Sequence, residues 1–253
     1  MADIDPPLEG VHASEAAFID NRLLATFPME LRHSVRNQIE IVQFEAGNNV
    51  LRRGIGVEHS IFPFGSTMIS MIVDMGDGRS VEVASVGKEG AVGGIVSCGH
   101  APAFARAEAI VAGPAARVPM RIIEEAKASS GHLRNLFCRY SDYLLAQIMQ
   151  SVACNSFHTI DQRAARWLLT AQDRAGDRLE LTQEALAGLL GVQRTSINAA
   201  ARQLTDDGLI TTRRGAISVT DRAALKVRAC ECYDRVEVFF GDILGEGGLG
   251  RPV

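Results

Sequence analysis

The sequence predicts an α+β chain in three parts: an antiparallel β-roll, a long helix, and a C-terminal unit of two short helices followed by a β-hairpin. Three observations carry this. Residues 39–118 hold short β-like runs punctuated by glycine, the texture of a small antiparallel roll or barrel. Over residues 133–152 apolar side chains return every three or four positions for about five turns. In residues 181–210 two shorter helical patterns meet at a single glycine, Gly191.

In chain order, the stretch up to about Gly10 is rich in Asp and Pro and reads as a disordered lead. A short helix follows with Phe18, Leu23, Leu24 and Phe27 at its apolar positions, until Pro28 interrupts it. The strand candidates are IEIVQF, VLRR, SIFPF, MISMIV, SVEVASV and AEAIVA. The clearest hairpin joins Met68 to Val86, with Asp74, Gly76, Asp77 and Gly78 forming the turn. Leu133, Phe137, Tyr140, Leu144, Ile148 and Val152 then make a stripe narrow enough to resemble a coiled-coil seam. A helix so patterned is expected to pair with a second copy; packing on its own roll is the alternative. Residues 155–161 break the period and read as a hinge. Beyond it a helix gathers Ile160, Ala164, Trp167, Leu168 and Ala171 on one side, with Trp167, the sole tryptophan, read as core. Residues 223–243 read as helical and the closing GEGGLGRPV as disordered. The expected divisions are 1–30 for the lead and short helix, 31–128 for the roll, 129–156 for the long helix, 157–230 for the C-terminal unit, and 231–253 for a last helix and tail.

At 253 residues the chain has room for two small domains. Its formal charge of -4 argues against nonspecific coating of nucleic acid, yet residues 161–228 carry eleven Arg or Lys against eight acids. The C-terminal unit is therefore locally basic. Five cysteines, scattered and odd in number, do not make a disulfide framework and fit a reducing cytoplasm. The N-terminus lacks a basic-then-apolar signal pattern, and no run approaches the roughly 18 apolar residues of a membrane span. A cytoplasmic chain without a membrane partner is expected.

The C-terminal unit carries the chemistry. Thr182 is placed to cap a helix, Glu184 puts a carboxylate in its first turn, and Leu186, Leu189 and Leu190 form its apolar face. Gly191 ends it, because the chain must turn left-handed there. In the next helix Ile197, Ala200, Ala201 and Leu204 recur at helical spacing, while Gln193, Arg194, Thr195 and Asn198 lie near its start on the opposite face. This is a helix-turn-helix pattern, in which the second helix offers N-terminal polar residues to base edges in the major groove. The run TTRRGAISVTD then reads as two strands around Arg213, Arg214 and Gly215, a wing. Arg194 is the first candidate for base contact, since its guanidinium fork matches guanine O6 and N7; Thr195 and Asn198 come next. Thr182, Gln183, Thr195, Ser196, Arg213 and Arg214 are candidates for phosphate contacts, with Arg202 and Arg163 adding charge.

These residues resemble a known family. Residues 157–219 are similar to the winged helix-turn-helix of the Crp/Fnr bacterial transcription regulators, and about a hundred preceding residues to that family's cyclic-nucleotide-binding-like sensor domain. The resemblance implies a homodimer joined through the long helix, a pseudo-palindromic operator in double-stranded DNA, and contact with RNA polymerase. Arg194, three residues after Gly191, aligns with the family's base-reading arginine, whereas Thr195 and Ala199 stand where relatives often carry Glu and Arg. Nucleotide-binding members hold ribose with a Gly-Glu pair and phosphate with Arg-Ser or Arg-Thr. The corresponding positions are Gly93-Gly94 and Arg106-Ala107, so Arg106, Gly93 and Gly94 remain as effector-binding candidates and an effector other than a cyclic nucleotide is expected. Cys98 and His100 form a Cys-x-His pair like that of a haem-containing relative, displaced by about five residues. The N-terminal cysteine run of iron-sulfur members is missing, and Cys230-x-Cys232 counts only two ligands. No cofactor and no metal are therefore expected, with cyclic nucleotide or haem as the weaker options and redox sensing by Cys98, Cys138 or Cys154 left open.

A rival class is a ligand-binding module that regulates a protein partner without specific DNA binding, suggested by the acidic Asp206-Asp207 and by Ala199. An enzyme is not expected: no Ser/His/Asp order, phosphate loop or zinc spacing is visible.

Overall fold

A computed structural model describes residues 10–95 and 101–244. The expected disordered lead and tail, and the Cys98/His100 pair, lie outside them. Helix α1 (Gly10–Asp20) is followed by a 3-10 turn at Leu24–Thr26 and by α2 (Met29–Val35), which Pro28 opens. Phe18, Leu23, Leu24 and Phe27 are all buried, although only Phe18 lies in the helix. Asn21 holds this bend: its Nδ2 donates to the Pro63 and Gly90 carbonyls at 2.8 Å each, and its Oδ1 accepts from the Leu23 and Leu24 amides.

Among the described residues seven strands build the roll: β1 (Glu40–Phe44), β2 (Asn49–Leu51), β3 (His59–Pro63), β4 (Met68–Asp74), β5 (Ser80–Val86), β6 (Arg106–Val111) and β7 (Gly113–Pro119). They form two antiparallel sheets, ordered β1-β7-β3 and β2-β6-β4-β5. The sequence runs identify six of the seven. Strand β7 is missed because only Ala112 separates it from β6 and its sequence GPAARVP opens on a Gly-Pro pair that reads as a turn. The chain changes sheets at Gly113, with φ 153°, where an added Cβ would lie 2.4 Å from Thr67 Oγ1. Only glycine allows that close approach.

Helix α3 (Met120–Ser129) leads into α4 (Gly131–Phe157), where Ser130 caps the start by accepting from the Leu133 amide. At 27 residues α4 is about 40 Å long. It runs on into the expected hinge as far as Phe157, and the break narrows to His158 and Thr159, where Thr159 and Gln162 form a reciprocal capping box.

The apolar stripe of α4 divides between two environments, which corrects the expected dimer seam. Leu133, Phe137 and Tyr140 are buried in the chain's own core with Phe27, Phe62, Ile122 and Ile123; Leu144 and Ile148 are half-buried, and only Val152 is exposed. Period alone cannot say what covers a stripe. Tyr140 is fixed to the roll: its hydroxyl donates to the Ala91 carbonyl and accepts from the Ala91 amide, both at 2.9 Å. Gly90 makes room for it, since a Cβ there would lie 2.0 Å from the hydroxyl. The apolar face left bare on α4 is Leu145, Met149 and Val152, at 48%, 61% and 63% exposure.

The C-terminal unit comprises α5 (Ile160–Ala175), β8 (Arg178–Leu179), α6 (Gln183–Leu190), α7 (Arg194–Asp206), β9 (Ile210–Arg213), β10 (Ala216–Val219), α8 (Arg222–Arg228) and α9 (Cys232–Leu244). The expected last helix is thus two, split at residues 229–231. Helix α9 returns to α4, with the Phe240 ring edge-on to Tyr143 at 4.9 Å.

Roll and C-terminal unit share one hydrophobic core, in which Met68, Ile72, Ile110 and Val111 join Trp167, Leu186, Ile197 and Leu204. Polar contacts pin the same junction. Trp167 Nε1 donates to Glu82 Oε1 at 2.9 Å, and Ser70 Oγ donates to the other oxygen of that carboxylate. Arg174 Nε meets Glu89 Oε1 at 2.7 Å, and its Nη2 donates to the Tyr143 hydroxyl at 3.1 Å. Both partners of the ion pair are largely buried, at 5% and 12% side-chain exposure. Burial works against the Arg174 charge, but Glu89, Tyr143 and Glu237 together outweigh it and raise the guanidinium above its ordinary value.

Two measurements follow from this packing. Tyr140→Phe strips both Ala91 backbone groups of their partner and is expected to cost about 1–3 kcal/mol in urea unfolding; an unchanged midpoint would mean that α4 is not fixed there. Burial pushes the Glu82 carboxyl above its ordinary 4.5, so above that pH the folded chain keeps a proton that the unfolded chain has released. The stability from this group is complete below 4.5 and is lost as pH rises through the raised value. Glu82→Gln keeps an acceptor for Trp167, and its folding stability should lose that falling limb in unfolding curves across acidic pH; an identical pH dependence in both proteins would contradict it.

Candidate DNA-binding site and its connections

The helix-turn-helix forms as local chemistry dictates. Thr182 Oγ1 accepts from the Ala185 amide at 3.1 Å and caps α6. Gly191 adopts φ 65° and ψ 34°, and the Val192 amide bonds back to the Ala187 carbonyl at 3.0 Å. The turn also touches the roll, since a Cβ at Gly191 would lie 3.1 Å from the Val81 side chain of β5. Ile197, Ala200, Ala201 and Leu204 turn inward from α7. That leaves Gln193, Arg194, Thr195, Asn198, Ala199 and Arg202 exposed, with Ser196 half-buried.

Arg194 is held loosely. Its Nη1 lies 3.3 Å from Glu184 Oε2, and both side chains are mostly in solvent, so the pair is weak and easily exchanged for another acceptor. Arg202 sits 3.8 Å from Asp206 in a similar exposed pair. Strands β8, β10 and β9 form the wing sheet, and Arg213 and Arg214 are exposed at its turn. Of the phosphate candidates, Thr182 has its hydroxyl engaged by the cap and Gln183 is half-buried.

Arg163 belongs elsewhere. It is 8% exposed, and its Nη2 donates to the Leu190 carbonyl at 2.5 Å, bracing the end of α6 from beneath. The sequence suggests a surface cation because arginine is seldom buried, and nothing local marks a partner 27 positions away.

Of the effector candidates, Arg106 is engaged within the chain. Arg106 Nε lies 3.0 Å from Asp74 Oδ2 and its Nη1 pairs with Glu108, so two carboxylates already match its charge. Gly93 and Gly94, both half-exposed, have φ of 90° and 62°, and added Cβ atoms would meet the His59 carbonyl at 2.7 Å and Met120 Sδ at 2.0 Å, so neither position admits a side chain.

The cysteines are arranged differently from expectation. Cys138 is exposed, while Cys154, Cys230 and Cys232 are buried together, beside His158. Two ligands in Cys230-x-Cys232 is therefore an undercount, because the fold brings α4 alongside them. The Cys154 thiol is pushed below its ordinary value, chiefly by its hydrogen bond with Cys230, with the Arg166 guanidinium assisting against burial.

Comparison with known proteins agrees with this geometry. The family profile described as a Crp-like helix-turn-helix domain matches residues 162–228. The HTH-type transcriptional regulator Cmr of Mycobacterium tuberculosis (strain CDC 1551 / Oshkosh) is 44% identical over 52 residues, which span 21% of this chain and 21% of that curated relative. Among solved structures, FixK2 from Bradyrhizobium japonicum superposes with a TM-score of 0.65 at 15% identity, over 76% of this chain and 98% of that one. A CRP-family transcriptional regulator from Thermus thermophilus, TTHB099, gives 0.61 at 18% identity, over 74% and 96%. Residues 162–228 are thus a Crp-like helix-turn-helix domain, and the chain carries it behind a β-roll and a long helix in the fold of those solved structures.

Proposed function

We propose that this chain is a homodimeric, sequence-specific DNA-binding regulator of transcription whose roll conveys a signal to the reader. The observation that carries the reading is the exposed start of α7. Arg194, Thr195 and Asn198 face solvent there, within a Crp-like domain whose wing adds Arg213 and Arg214. Arg194 reads a guanine, Thr195 and Asn198 read neighbouring edges, and Gln193, Ser196, Arg202, Arg213 and Arg214 contact phosphates. Two such helices related by a two-fold axis enter successive major grooves of a pseudo-palindrome.

The dimer forms through the exposed Leu145, Met149 and Val152, whose three- and four-residue spacing suits a coiled-coil seam. The effector is not a cyclic nucleotide, because Arg106 is already paired with Asp74 and Glu108 and no carboxylate follows Gly93 to hold a ribose. The chain acts in the cytoplasm together with RNA polymerase; among the described residues no helix is long and apolar enough to cross a membrane.

Genomic fragments recovered on purified protein supply the sequence for the test. On the fragment most enriched, Arg194→Ala should lose about 1–3 kcal/mol of preference over random DNA. Arg214→Ala should weaken all sequences alike and flatten the salt dependence by about 0.9 per chain. Failure to enrich any fragment, or an Arg194→Ala protein with unaltered preference, would refute the reading. Met149→Glu is expected to shift the protein to monomer in sedimentation, whereas a dimer of undiminished strength would place the interface elsewhere.

A further inference from the structure

Four ligand-competent side chains converge where α4 ends. Cys154 and His158 are one helical turn apart, at the last turn of α4 and its C-cap, and Cys230 and Cys232 flank Glu231 at the short link between α8 and α9. Their ligating atoms all lie within 4.8 Å of one another. Cys154 Sγ is 3.6 Å from Cys230 Sγ, and Cys232 Sγ is 3.4 Å from His158 Nδ1. A tetrahedral zinc ion with Zn–S of about 2.3 Å and Zn–N of about 2.0 Å has edges of about 3.8 Å between sulfurs and about 3.5 Å between sulfur and nitrogen. The observed separations are close to those edges.

The surroundings match as well. His158 turns Nδ1 to the sulfurs, while its Nε2 lies 3.1 Å from Glu231 Oε2, the carboxylate–histidine arrangement that orients a metal-bound imidazole. Gln150 Nε2 donates to Cys232 Sγ at 3.0 Å, which suits a thiolate acceptor. All three sulfurs are buried, so the site is closed to a substrate in the manner of structural zinc.

The geometry points to a Cys3His site for a zinc-class divalent cation, formed by Cys154, His158, Cys230 and Cys232, that clamps the end of the long helix to the far end of the reader. Nearly the whole DNA-binding unit, α5 to α8, is the loop such an ion closes. Thiolate and neutral imidazole together favour zinc over calcium or magnesium, which take oxygen donors. Arg163 extends the connection from the same region to the Leu190 carbonyl at the helix-turn-helix. Metal occupancy therefore fixes the angle at which the reader leaves α4, and zinc-free protein holds DNA less tightly. That last consequence rests on the DNA-binding reading; the site itself does not.

The test uses the full-length protein, reduced and stripped of metal. Titration with cobalt(II) alone should saturate at one ion per chain, with the visible bands of a tetrahedral thiolate complex, and zinc should displace it. X-ray absorption of the zinc-loaded wild type, which needs no variant, should show three sulfurs at about 2.3 Å and one nitrogen at about 2.0 Å. Cys230→Ser, checked for folding by circular dichroism, should lose the cobalt bands and any zinc-dependent rise in Tm, while Cys138→Ser keeps both. A first shell of oxygen alone, cobalt bands equal in Cys230→Ser and wild type, or a Cys154–Cys230 disulfide in freshly isolated protein would overturn the site. Equal DNA affinity with and without zinc, at an intact site, would overturn only its coupling to the reader, and no DNA binding in either form would count against the DNA-binding reading instead.

Discussion

The buried ion pair between Arg174 and Glu89 is the constraint on which the arrangement of this molecule depends. Taking two charges out of water costs several kcal/mol per ion unless geometry and hydrogen bonds compensate, and Tyr143 supplies one of those bonds. The three residues come from the reader's first helix, from the loop after β5 and from α4. Any movement of one of these parts against the others uncovers a charge. On β5 itself, Glu82 receives Trp167 under the same restriction. The reader's position is therefore set by the roll, not by a loose tether.

Helix α4 spans the parts which that constraint joins. Its first half belongs to the roll through Tyr140, its middle meets Arg174 through Tyr143, and its end holds two members of the Cys/His cluster. One helix thus contacts roll, junction and hinge. A ligand or metal that favours one placement of this helix shifts the reader by its differential affinity and by no more. The bare Leu145, Met149 and Val152 stripe lies between the junction and the hinge, so a partner helix seated there would be sensitive to the same displacement.

What can be read from the sequence is whatever local physics decides. The cap at Thr182, the left-handed turn at Gly191 and the buried set Ile197, Ala200, Ala201 and Leu204 each depend on neighbours within a few residues, and the structure places all of them as the pattern indicates. The β4–β5 hairpin is legible for the same reason. Features made by distant residues are not. The stripe on α4 announces a helix with a covered face but not what covers it, and Leu133, Phe137 and Tyr140 face their own roll. Strand β7 hides behind a one-residue corner. Arg163 reads as a surface cation until α6 is laid over it, and Cys154 meets Cys230 across 76 positions with no spacing motif to link them. The neighbours of the candidate effector residues are hidden for a similar reason, because neither Asp74 beside Arg106 nor Met120 beside Gly94 is a sequence neighbour.

The central claim is that roll and reader are one cooperative body joined at Trp167 and Arg174. Trp167 is the only tryptophan and sits at that joint, so its fluorescence reports the junction while far-UV circular dichroism reports all the helices. Equilibrium urea unfolding followed by both signals on the full-length protein is the most direct measurement. Coincident transitions with one midpoint are predicted; a tryptophan transition that is complete while most of the dichroism survives would contradict the account.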